Sequence, residues 1–109
     1  MTTVTLFFQQ GSMAGFRCDG HTGYAAQGAD IVCSAVSALT QAAANGITEV
    51  LKLPAAVEAQ DASFYVMLDR SVMGEPLEKA QIILQTMALG LRSIADTYGD
   101  YIKIFEREV

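Results

Sequence analysis

His21 is the only histidine in the chain, and it lies in a glycine-rich stretch that leads to Cys33. Those two residue types can do covalent chemistry together. A thiolate attacks an electrophilic carbon while an imidazole moves the proton. Asp30 lies just before Cys33 and has the side chain of a helix N-cap, which places Cys33 at the third helical position. A helix start carries partial positive charge and unpaired N–H groups. It therefore favours a thiolate and offers donors to an oxyanion.

Each of these residues also has a plainer reading. Free cysteines are among the most buried residue types and pass as small hydrophobes. A single loop histidine is usually just solvated. Asp30 caps the helix or orients His21, and capping is the expected role. Gly20, Gly23 and Gly28 either shape a tight loop or let the segment open for a peptide and close with His21 over Cys33. Tyr24 is a loop anchor or part of a substrate pocket. Cys18, His21 and Cys33 with Asp19 or Asp30 make up a ligand set for zinc, but no paired Cys-x-x-Cys spacing supports it, so neither metal nor cofactor is expected. Ser34 and Ser37 have no second histidine to activate them.

The elements that must position these groups follow from the periodicity. Residues 2–8 alternate Val4, Leu6 and Phe8 against Thr3, Thr5 and Phe7, a strand that turns at Gln9–Ser12 into a second strand over 13–19. From Asp30 the period becomes helical, with Val32, Val36, Leu39 and Ala43 on one stripe and Asn45-Gly46 as the stop. Residues 50–60 and 63–68 read as two strands around Asp61-Ala62, the first at an edge or bulged near Pro54. Pro76 and Gly99 bracket a second helix striped by Leu77, Ala80, Leu84, Met87, Leu91, Ile94 and Tyr98. Residues 101–106 close as a last strand. The expected fold is α+β, a mainly antiparallel sheet with two helices on one face in the order ββαββαβ.

The 109 residues fit a single domain, 1–109, and a net charge of −5 argues against a nucleic-acid binder. No run of eighteen apolar residues is apparent, so no membrane span is expected. Residues 1–8 lack the flank and length of a signal peptide, so a cytoplasmic location with reduced cysteines is expected. With 51% hydrophobic and only 17% charged residues, the chain points to a self-association face. Ile82 and Leu89, beside the main stripe of the second helix, are the expected homodimer line.

The order Gly-His-x-Gly-Tyr-Ala (Gly20 to Ala25), Gly-x-Asp-Ile-Val-Cys (Gly28 to Cys33) and Ala-Val-Ser (Ala35 to Ser37) resembles the ribosomal-processing cysteine proteases of the Prp type. Ser34 departs from the family pattern, where alanine is expected. The resemblance implies that His21 and Cys33 are a catalytic dyad and that the enzyme is a homodimer with a mobile loop between them. It also implies a substrate: the N-terminal extension of a large-subunit ribosomal protein, cut after a motif ending in two phenylalanines. Such a partner is basic, so an acidic enzyme gains electrostatic steering. The competing readings are a non-enzymatic ribosome-associated interaction domain and a thiol hydrolase of another substrate.

Overall fold

In the computed structural model, five strands form one sheet in the order β3-β4-β2-β1-β5, and two long helices pack on one of its faces. The structure describes residues 1–20 and 27–109, with the side chains of residues 27–30 outside the description. The strands are β1 (Thr2–Gln9), β2 (Ser12–Gly20), β3 (Ala55–Gln60), β4 (Ser63–Leu68) and β5 (Ile102–Glu108); the helices are α1 (Gln27–Asn45) and α2 (Glu75–Tyr98). The β1–β2, β2–β4 and β3–β4 pairs are antiparallel and β1–β5 is parallel, so the expected α+β architecture and ββαββαβ order are present.

The period of two along β1 puts Val4 and Leu6 on the helix side. Across the register Val4 faces Cys18 and Leu6 faces Phe16. Val66 of β4 and Ile102 of β5 extend that face, while Val32 and Val36 of α1 and Leu84 and Leu91 of α2 close over it. At about 25 cal/mol per Å² of apolar surface removed from water, this layer is the main source of stability. On the other side of the sheet Phe7 meets Tyr65 edge-on at 6.1 Å, and the Arg17 guanidinium stacks 4.7 Å from the Tyr65 ring centre.

Three local expectations need correction. First, α1 begins at Gln27, so Asp30 lies within its first turn and does not precede it as a cap. Second, α1 ends at Asn45 as expected, but the helical path does not stop there. The chain continues through a π-helical turn, Gly46–Val50, in which the Leu51 N–H donates to the Gly46 carbonyl at 2.9 Å. Lys52, at φ 54°, supplies the left-handed residue, and the Leu53 N–H then donates to the Ile47 carbonyl at 2.9 Å. This is a left-handed stop without glycine. Gly46 is small for another reason: a Cβ there would meet Ile83 Cδ1 of α2 at 2.9 Å. Third, the strand expected from residue 50 therefore starts at Ala55. It is an edge strand, and Pro54 is just before it, outside the ladder.

The Ile31–Val50 stretch is long and apolar enough to cross a membrane by length and composition alone. Its Val32, Val36, Ala43, Ala44 and Ile47 side chains are nonetheless buried in the core. A core helix rich in alanine passes the same hydropathy test.

Candidate active site

Cys33 is on the flank of α1, one position beyond the fully buried Val32, and is itself half-buried. Its helical neighbours Ser37 and Gln41 continue the same flank at spacings of four, so the three side chains share one edge of the helix. That edge faces a cleft of about 210 Å³, with Thr2 from β1, Cys18, Asp19 and Gly20 from β2, and Ala59, Ser63 and Phe64 from the β3–β4 hairpin among its other walls. The cleft lies at one end of the sheet, where β1 and β4 begin and β2 and β3 finish.

Two hydroxyls missed in the sequence complete the surroundings of the thiols. Thr2 Oγ1 lies 3.6 Å from Cys33 Sγ, within hydrogen-bonding reach of a sulfur. Thr40 is 1% exposed and donates to the Val36 carbonyl at 2.8 Å, which satisfies a buried hydroxyl inside the helix. Both were findable by period: Thr2 shares the parity of Val4 and Leu6, and Thr40 follows Val32 and Val36 at steps of four.

Cys18 is a different kind of thiol. It is buried among core residues on β2, and burial pushes it up from 9.0 to about 12; the Thr40 hydroxyl pulls against this and the Asp19 carboxylate adds to it. It is a protonated core thiol at neutral pH and a poor nucleophile or metal ligand. Asp19 at the cleft rim accepts a hydrogen bond from Ser63 Oγ at 2.8 Å. Among the described residues lining the cleft it is the only charged side chain.

The other sequence candidates divide. His21, Gly23 and Tyr24 lie outside the described residues, as does the side chain of Asp30. Gly20 is the last residue of β2 and Gly28 is in α1, so neither is in the open loop expected of them. The early start of α1 also moves Cys33 to the seventh helical position. The unpaired N–H groups of a helix are its first four, so the thiol lies about a turn beyond them. The expected help from the helix end is correspondingly reduced.

A family model described as cysteine protease Prp matches residues 1–103. With the α+β sheet and its thiol-bearing cleft, this defines the class: the chain is a cysteine protease. It belongs to the Prp family of those enzymes. A relative from Bacillus subtilis (strain 168), the ribosomal processing cysteine protease Prp, is 28% identical over 91 residues, covering 82% of this chain and 81% of that one. The ribosomal processing protease Prp from S. aureus in complex with a substrate peptide superposes with a TM-score of 0.86 at 25% identity, over 98% of this chain and all of that one. The S. aureus enzyme with a covalently linked product peptide gives 0.82 at 26% identity over the same share.

Proposed function

We propose that this protease removes the N-terminal extension of a basic large-subunit ribosomal protein, with Cys33 as nucleophile and His21 as general acid and base. The observation that carries the reading is the half-buried Cys33 thiol in the cleft, where the chain's other thiol, Cys18, is a buried part of the wall. The covalently linked product peptide of the S. aureus relative supports it, because attack by a thiolate leaves an acyl group on the enzyme.

Cys33 Sγ attacks the scissile carbonyl and forms a tetrahedral oxyanion. His21 gives a proton to the leaving amine as the oxyanion collapses to a thioester, then takes one from water as that water hydrolyses the thioester. The net change is one peptide bond and one water converted to an acid and an amine, with the thiol regenerated. Asp30 is the candidate to orient His21 in this scheme.

A net charge of −5 favours encounter with a basic substrate. The enzyme acts in the cytoplasm as a homodimer joined through the exposed Ile82 and Leu89 of α2. The test is incubation with the extended ribosomal protein, with the cut located by mass spectrometry. Release of the extension by the native chain and none by Cys33→Ala supports the reading. Equal cleavage by both overturns it.

A further inference from the structure

We propose that Thr2 is a positioning residue for the Cys33 thiol, its hydroxyl holding the sulfur in the cleft and donating to it as negative charge builds there. The inference rests on Cys33 being the nucleophile and goes beyond it to ask what fixes the sulfur. Thr2 is 6% exposed, and its side chain is on the face of β1 that otherwise carries Val4 and Leu6. A hydroxyl among such neighbours needs a partner. The partner that the described structure provides is Cys33 Sγ, at 3.6 Å.

The strand gives that hydroxyl a fixed place. Thr2 is held from both sides, opposite Gly20 of β2 and Ile102 of β5, and its N–H donates to the Tyr101 carbonyl at 2.8 Å. A group mounted on a central strand is more precisely placed than one on a loop. Gly20 gives the second, independent observation. A Cβ at that position would lie 2.9 Å from both Thr2 Cα and Thr2 Oγ1 and 3.2 Å from Thr2 Cβ. The absence of a side chain at Gly20 thus leaves room for the threonine hydroxyl beside the thiol. Against a neutral thiol the pair is a weak contact in which either atom donates. Against a thiolate the hydroxyl must donate, and the bond gains from the charge.

The experiment compares Thr2→Val, Thr2→Ser and the native chain in two measurements. One is kcat and KM for a cleaved peptide, and the other is the rate at which iodoacetamide labels Cys33 at neutral pH, read by mass spectrometry. Valine preserves the shape and removes the hydroxyl, whereas serine keeps the hydroxyl. Thr2→Val is expected to lower kcat about tenfold with KM changed less than about twofold, the scale of one hydrogen bond made to a charged group. Labelling should slow alongside it, and Thr2→Ser should restore most of both rates. Native-like kcat and labelling in Thr2→Val would overturn the proposal. So would equal losses in valine and serine variants that track a fall in melting temperature, since that is a packing effect. Labelling reads the sulfur whether or not it cuts peptide. An error about the nucleophile therefore shows as turnover surviving Cys33→Ala, separately from an error about Thr2.

Discussion

Cys18 and Cys33 carry the same functional group in opposite surroundings, one buried in the core and one at the edge of a cleft. Cys33→Ala and His21→Ala are each expected to abolish peptide cleavage while far-UV circular dichroism stays native. Cys18 is expected to leave its mark on stability instead. Below pH 9.0 both folded and unfolded chains keep its proton; between there and about 12 the unfolded chain releases a proton that the folded chain retains. The folded state therefore loses ground as pH rises through that window, by up to about 1.4 kcal/mol per pH unit. Urea midpoints of the native chain should fall more steeply above pH 9.0 than those of Cys18→Ala. Parallel curves for the two proteins would contradict this.

At the scale of elements, α1 is defined by where it begins and how it stops. An acidic residue in the first turn favours a helix, and Asp30 is in that turn, past the N-cap position. Asp30→Asn and Asp30→Ala should then cost similar amounts, about 0.3–1 kcal/mol each, measured by thermal unfolding. A cap would separate them, sparing asparagine and penalising alanine. At the other end Lys52 holds a left-handed conformation at φ 54°. Lys52→Gly removes the Cβ strain there and should stabilise the chain by about 1 kcal/mol. An unchanged or lowered melting temperature would show that the lysine side chain contributes more than its backbone strain costs.

For the whole molecule the uncovered apolar surface matters most. Ile82 and Leu89 are 69% and 68% exposed on α2, although Leu84 and Leu91 of the same helix are fully buried. One helix has two apolar stripes, and the sheet covers only one of them. A second copy of the chain covering the other gives the proposed homodimer. Leu89→Glu, which places a charge on that stripe, should sediment as a monomer with a native spectrum. An undisturbed dimer would place the contact elsewhere, and a monomeric native chain would remove the homodimer itself.

Much of this was written locally. The alternation of Val4 and Leu6 with threonines, the stripe from Leu77 to Leu91, and Pro76 and Gly99 at the ends of a helix depend on neighbours within a few residues, so period and turn chemistry are enough to read them. Pro54 likewise pointed to an edge strand or a bulge, and the strand that begins just after it is at the edge. The glycine-flanked His21 and the Asp-Ile-Val-Cys run marked a candidate site by residue type, and Cys33 of that run lines the cleft. Tertiary packing decided the rest. Gly46 looks like a stop in sequence, and it is also the place where α2 comes close, with Ile83 Cδ1 2.9 Å from where a Cβ would sit. Gly20 looks like loop and is a strand end pressed on Thr2. Two cysteines alike in sequence became a buried thiol and a half-buried one in the walls of the same cleft, because a strand face and a helix flank meet different neighbours. Burial and close approach are properties of pairs of elements, and only the folded chain brings Thr2 to Cys33.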